Sequence, residues 1–267
     1  MASSGTIRCG IGGWVYEPWR ETFYPDGLPK TKELAYAAER LRAIEVNATY
    51  YGSQKPATFA KWAASVPDGF VFSLKGSRFV TNRKVLAEAE ESMAKFIGQG
   101  ISELGDRLGP ILWQFAPTKK FEPDDFEAFL ALLPASVDGI ALKHAVEIRN
   151  DSFDAPEFIE LARRHRVPVV YAHHATYPEL ADVTGDFVYA RLQRGKDDNP
   201  TCYSEDALDD WAKRLKVWAG GGQPDDLPLA APESKPEKKP RDVFAYFITE
   251  GKSRAPHGAM ALQQRVD

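Results

Sequence analysis

The residues able to do chemistry in this chain gather at the ends of short apolar runs. In AIEVNATYYG, Ala43 to Gly52, Glu45 and Asn47 stand two apart and so share one face of an extended segment. Ionised carboxylates are seldom buried without a partner, because desolvation costs more than an unpaired charge recovers. The same spacing recurs along the chain. FVFSLK turns Ser73 and Lys75 to one side, ILWQF turns Gln114, AVEIR turns Glu147 and Arg149, and FVYARL turns Tyr189 and Arg191. The intervening positions, such as Ile44/Val46, Phe72/Leu74, Trp113/Phe115 and Val146/Ile148, are apolar. Five segments therefore direct polar groups into one space, where Lys75, Arg149 or Arg191 is the expected partner of Glu45. Two carboxylates against three cations leave that space positive, and Arg78, Arg194 and Lys196 in adjoining loops add to it. An anionic or heavily hydroxylated ligand is its complement. A buried ion network that only fills space is the competing reading, since such networks also perturb pKa values.

The elements that must position these groups alternate strictly. Strand-like runs are Ile7–Gly12, Ala43–Asn47, Phe70–Lys75, Pro110–Phe115, Ala145–Arg149, Pro168–His173, Phe187–Leu192 and Val243–Thr249. Helical patterns follow them at Thr31–Leu41, Pro56–Ser65, Arg83–Leu104, Asp124–Leu133, Ala155–His165, a short piece near Tyr177–Ala181, Ser204–Trp218 and Ala255–Arg265. Thr31 and Ser204 are placed to cap, and Pro56, Pro123 and Pro156 to start, their helices. Eight strand–helix units predict an α/β fold in which eight parallel strands close into a TIM (β/α)8 barrel. Residues at the C-terminal strand ends then line the mouth, where barrel enzymes keep their active sites.

A chain of 267 residues suits one such barrel, so residues 1–267 are expected to form a single domain. One stretch, Gly220 to Arg241, is rich in Gly, Pro and charge without periodicity and is expected to be a flexible insertion. With 34 Lys plus Arg against 38 Asp plus Glu, the net charge of −4 provides no general attraction to nucleic acid or an anionic membrane. No apolar run is long enough to span a bilayer. MASSGTIRCG lacks a basic region followed by an apolar one, and the two cysteines, Cys9 and Cys202, read as buried filler, so a cytoplasmic location is expected.

The first loop, GGWVYEPWRETFYP, carries Trp14 and Tyr16, and Tyr51 follows the second strand; these rings are candidates to stack on a ligand, or else to cover the barrel top. Of His173 and His174 at the end of the sixth strand, one is expected to enter the site. No Asp occupies an inward position, which disfavours a metal, and no Gly-rich phosphate or dinucleotide loop is present, so no cofactor is expected.

These residues carry a resemblance. GIGGWVYEPWRETFYP, EVNATYYGSQKPATFAKW, FVFSLKGSRFVTN, LGPILWQFAP, VEIRNDSF, FVYARLQ and FAYFITEGKSRAPHGAMAL follow in the order of the DUF72 family, also called YecE-like, which the chain resembles from about Ile7 to Leu262 outside Gly220–Arg241. The resemblance implies an eight-stranded TIM barrel, with typical strand-end residues at Glu45, Asn47, Thr49, Tyr51, Lys75, Gln114, Glu147, Arg149 and Arg191. It implies no particular reaction. Three places depart from the family pattern: Gln193–Gly195, where His-Gly is common; His173 and His174, where an Asp is common; and Ile248–Glu250, where paired Asn are common.

The resulting expectation is a metal-independent enzyme, a hydrolase among the options, acting on a polar or anionic small molecule such as a carbohydrate or phosphorylated compound. Glu45 and Glu147 would be its acid–base pair, set far enough apart for inversion at a glycosidic bond. Asn47, Lys75, Gln114, Arg149, Arg191, Trp14, Tyr16, Tyr51 and His174 would bind the substrate. The alternatives are a nucleic-acid binding or processing protein, for which the basic loops and aromatics speak, and a non-catalytic ligand-binding scaffold.

Overall fold

A computed structural model describes residues 4–267. Its main sheet has eight strands: β1 Ile7–Gly12, β2 Ala43–Val46, β3 Val71–Lys75, β4 Leu108–Gln114, β5 His144–Glu147, β6 Tyr171–His173, β7 Phe187–Arg194 and β8 Asp242–Glu250. All neighbouring pairs are parallel, running from β5 through β1 to β8, β7 and β6. The last gap, between β5 and β6, is bridged at Val146 and Val169, with Val146 N donating to Pro168 O and Val170 N to Val146 O, each at 2.9 Å. The sheet thus curls into a TIM-barrel-like cylinder. Parallel strands need covering on the outside, and helices at Pro56–Ala64, Pro123–Ala131, Pro156–Arg164, Glu205–Ala219 and Ala255–Val266 supply it.

Those helices form where the sequence says they should. Pro56, Pro123 and Pro156 each open a helix, where the missing N–H costs nothing. The Ser204 hydroxyl accepts from Ala207 N at 3.3 Å. In Glu205–Ala219 the residues Leu208, Trp211, Ala212, Leu215, Trp218 and Ala219 fall on one buried stripe. Each large side chain of this kind contributes roughly 1.5–3 kcal/mol by burial.

The alternation of β2 to β8 sorts side chains into two cores. Outward residues such as Ile44, Phe72, Trp113 and Val146 pack on the helices. The inward set, Ala43, Val71, Leu112, Ala145, Val170, Phe187 and Phe244, fills the lower barrel. β1 contributes Gly10 there: a Cβ on it would lie 3.1 Å from the Tyr246 ring and 2.1 Å from Ala43 O, so only glycine admits the tyrosine. Two residues further up, the inward positions of β2, β3, β4, β5, β7 and β8 turn polar.

Several local expectations give way. The helix expected over Arg83–Leu104 is three pieces, Leu86–Ala89, Glu90–Ile97 and Ile101–Arg107, broken where Gly100 takes φ 100° against Pro56. No helix forms at Tyr177–Ala181, since Pro178 drives its predecessor away from helical geometry. Thr31 lies inside a 3-10 turn, Lys30–Lys32, and caps nothing. A small hairpin at Ser136–Val137 and Ile140–Ala141 turns on Asp138 and Gly139, both at positive φ, an Asp-Gly signal that went unread. The 220–241 stretch has no helix or strand, and its backbone is tied to the barrel: Asp182 accepts from Ala230 N and Ala231 N, and Pro228 O accepts from Ala181 N. Among the described residues no helix is long and apolar enough to cross a membrane.

Candidate functional site

Above the apolar floor lies a layer of tyrosines. The Tyr189 and Tyr246 rings sit 5.0 Å apart; Tyr246 Oη pairs with Ser73 Oγ at 2.6 Å, and Tyr189 Oη donates to Glu45 Oε2 at 2.8 Å. The next layer is ionic and centred on Arg191. Its Nε and Nη2 donate to Glu45 Oε2 and Oε1 at 3.0 Å each, and its Nη1 donates to Glu147 Oε2 at 2.7 Å. Gln114 Nε2 reaches the same Glu147 oxygen at 2.8 Å, while Arg149 Nε donates to Glu147 Oε1 at 2.9 Å. Both carboxylates are fully buried, and Arg191 nearly so.

Electrostatics follow from this geometry. Burial alone would raise the Glu147 carboxyl, but Arg191 and Arg149 beside it, with the Gln114 amide, overcome that and hold it at about 2. Burial would weaken Arg191 as a cation, yet the flanking Glu147 and Glu45 drive its pKa higher still. The Tyr189 hydroxyl is raised by burial and by Glu45.

Lys75, at the end of β3, is different. It is mostly buried, and its Nζ lies 4.3 Å from the Tyr50 ring centre. Among the described residues it has no hydrogen-bond or ion-pair partner. Burial, reinforced by Arg191, pushes its pKa down to about 8 against the opposing pull of Glu45 and Glu147. The two nearby carboxylates, Glu45 and Glu147, are already committed to Arg191.

The rim above holds Arg149, Asn47 and His174. The Arg149 guanidinium covers the Tyr177 ring at 4.6 Å, and Tyr177 stacks on His174 at 3.8 Å with 10° between planes. Only the Nε of Arg149 is spent on Glu147. His174 Nδ1 accepts from Thr176 N at 3.1 Å, and burial together with Arg149 lowers its pKa. His173 faces the other way, against Trp211 and Tyr203. Asn47 is half-buried, and its amide would lie 3.5 Å from a Cβ placed on Gly12.

The geometry brings together Glu45, Glu147, Gln114 and Arg191, with Lys75, Arg149, Asn47 and His174 around them. It does not bring in three aromatics. Trp14 packs edge-on against Trp62 and Phe72, in the layer between barrel and helices. Tyr16 packs on Trp19 beneath the Lys252 ammonium. Tyr51 is 64% exposed and touches Tyr50. One guanidinium, that of Arg191, bridges Glu45 and Glu147 and occupies the space between them.

Sequence reasoning passed over Tyr246, Tyr177 and Gln193 as site residues. Carrying the same alternation through FAYFIT and ARLQ would have found Tyr246 and Gln193. Gln193 continues the inward row of β7 past Arg191, is 2% exposed, and its Nε2 has no partner. At the end of β8 the inward position is Ile248, and Thr249 sits at φ 62° where the β7–β8 register shifts. Among the described residues no three His, Cys, Asp or Glu side chains cluster as a metal site.

Eight parallel strands closed around an apolar floor, with charged residues at their C-terminal ends, define a TIM-barrel-like α/β protein. The chain belongs to the DUF72 family, whose model, described as a protein of unknown function, matches residues 8–267. It is similar to the UPF0759 protein YunF of Bacillus subtilis, 23% identical over 159 residues that cover 58% of this chain and 54% of that one, so the match spans about half of the relative. A DUF72 family protein of Thermotoga maritima has a solved structure similar to it, at TM-score 0.70 and 22% identity over 97% of both chains. One from Enterococcus faecalis gives 0.69 and 18%, over 98% of this chain and 95% of the other. At these identities the solved structures show the fold alone.

Proposed function

We propose that the protein is a metal-independent enzyme acting on an anionic small molecule at the barrel mouth, with Lys75 as the group that moves the proton. The observation that carries this reading is the contrast at the centre of the site: every charged group is paired except the Lys75 amine, which is also the one poised to lose its proton near neutral pH. Glu147, held near 2, stays ionised at neutral pH and is a poor proton carrier. Glu45 accepts three hydrogen bonds, from Arg191 and Tyr189. The two glutamates thus act best as a fixed negative frame that orients Arg191 and keeps Lys75 in a charged, water-poor setting. Arg149, with its terminal nitrogens uncommitted, and Asn47 would bind the substrate's anionic and hydroxyl groups. A hydrolytic outcome remains compatible with a lysine base. Both glutamates are natural metal ligands, and their engagement with Arg191 argues against a divalent ion between them.

The test is a thermal-shift series with inorganic phosphate and small sugar phosphates. Wild type should melt higher with a bound anion, by mass action, and Arg149→Gln and Lys75→Met should each lose most of that shift. Equal shifts in all three proteins would overturn the reading.

A second reading has its own support. Arg78, Arg83 and Lys95 line one cavity beside the mouth, and Arg83, Lys84, Lys119 and Lys120 line the next, which shares Asn82 and Arg83 with it. Phe79 and Tyr51 are exposed close by. Cations interleaved with open rings suit a single-stranded oligonucleotide. Binding to oligonucleotides that falls steeply with salt would favour this reading over a small-molecule substrate.

A further inference from the structure

We propose, resting on the small-molecule reading above, that Lys75 is a nucleophile as well as a base: it forms an imine with an aldehyde or ketone whose anionic end lies in the basic cavity following β3. Three observations carry this. First, among the described residues no hydrogen bond or ion pair uses the amine, whose one polar contact is the Tyr50 ring. Glu45 is engaged by Arg191 and Tyr189, and Glu147 by Arg191, Arg149 and Gln114, so no carboxylate is left to hold a lysine. A position that only needed a cation would be served as well by arginine, which cannot add to a carbonyl. Placing the amine among Arg191 and Arg149, with its stem buried and its nitrogen over Tyr50, is the setting that activates a lysine for covalent chemistry.

Second, the cavity whose wall begins two residues past Lys75, at Ser77, is lined for an anion. It measures about 580 Å³, and its wall includes Ser77, Arg78, Asn82, Arg83 and Lys95. None of the three cations has a carboxylate partner, although Glu91 also lines the space. The wall joins the strand end directly: Thr49 Oγ1 donates to Lys75 O at 2.7 Å, and Arg78 is three residues on. The Cα atoms of Lys75 and Arg78 are therefore at most roughly 11 Å apart.

Third, Gln193 holds a buried, unpartnered Nε2 on the inward row one step above Arg191. An orphaned buried donor in such a place is destabilising, and a ligand oxygen accepting from it would relieve that cost.

The step balances without any further reactant. The Lys75 nitrogen lone pair forms a C–N bond to the carbonyl carbon while the π electrons move to oxygen, which takes a proton from nitrogen. The C–O bond then breaks, and the oxygen departs as water with the two hydrogens the amine has given up. The resulting imine, when protonated, withdraws electrons from the adjacent C–H or C–C bond.

The experiment is reductive trapping. Wild-type protein is incubated with pyruvate, glyoxylate, glyceraldehyde 3-phosphate or dihydroxyacetone phosphate, with and without sodium cyanoborohydride, and digested for peptide mapping by mass spectrometry. At neutral pH a lysine with a pKa near 8 has roughly two orders of magnitude more neutral amine than an ordinary one, so modification should concentrate on Lys75 and fall when inorganic phosphate competes. Mapping wild type locates the adduct whether or not a variant folds, and Lys75→Arg should abolish it. Modification spread evenly over surface lysines would overturn the imine. So would no adduct from any of the four compounds, and if phosphate still stabilises wild type but not Arg149→Gln, the anion-binding reading survives that failure. Loss of both phosphate stabilisation and adduct would sink the two together.

Discussion

The two ends of the barrel use the same strands for opposite purposes. At the lower end Ala43, Val71, Leu112 and Ala145 close the interior with apolar contact. Two residues later the same strands present Glu45, Ser73, Gln114 and Glu147. Hydrophobic filler there would stabilise the fold at least as well as buried ions, whose desolvation offsets much of their attraction. The lower half is thus what the fold requires, and the upper half is what the fold tolerates for another end. Within the upper half the contrast repeats: Arg191 is saturated and fixed, whereas Lys75 is unpaired and able to titrate.

The largest effect should come from breaking the saturated part. Arg191→Met leaves two buried carboxylates without their cation and should lower unfolding free energy by about 5 kcal/mol in urea titrations. A cost under about 1 kcal/mol would mean that water reaches Glu45 and Glu147 freely. In the lower half, Leu112→Ala should cost about 3 kcal/mol through lost burial and a residual cavity, with no change in anion binding.

Lys75→Met should do the reverse and stabilise the protein, by about 2 kcal/mol at pH 7, at the expense of ligand binding. The sign follows from linkage. Lys75 faces Glu45, Glu147, Arg191 and Arg149, and its folded pKa of about 8 lies below its ordinary 10.5. Between these values the unfolded chain holds more protons, so wild-type stability should rise with pH across that window, and the variant should lose the rise. Glu147 governs the acid side: its folded pKa of about 2 against 4.5 stabilises the native state above pH 4.5, and this is lost as pH falls towards 2. Smallest of all, Tyr51→Ala on the exposed rim should change stability by no more than about 0.5 kcal/mol.

The inward rows of β2, β3, β4, β5 and β7 were legible because a strand's period of two is a local property, readable from Glu45/Asn47 or Tyr189/Arg191 alone. Eight alternating units likewise announced the barrel. What could not be read was which of the three candidate cations meets Glu45. Arg191 and Glu45 are 146 residues apart, and their contact depends on the closed circuit of strands rather than on any pattern. The aromatic loop residues failed for a related reason: Trp14 could turn to the mouth or to Trp62, and only the packed structure decides between two apolar neighbours. Short breaks such as Gly98–Gly100 were missed because the helical period on either side is continuous in sequence.

The most direct measurement is the pH dependence of the Lys75 reaction with a trace amine-acylating reagent, read by peptide mapping against the other lysines of the folded protein. The account predicts half-maximal reactivity near pH 8 at Lys75. A midpoint near 10.5, shared with the surface lysines, would show an ordinary ammonium and contradict the claim that this site is built around a reactive amine.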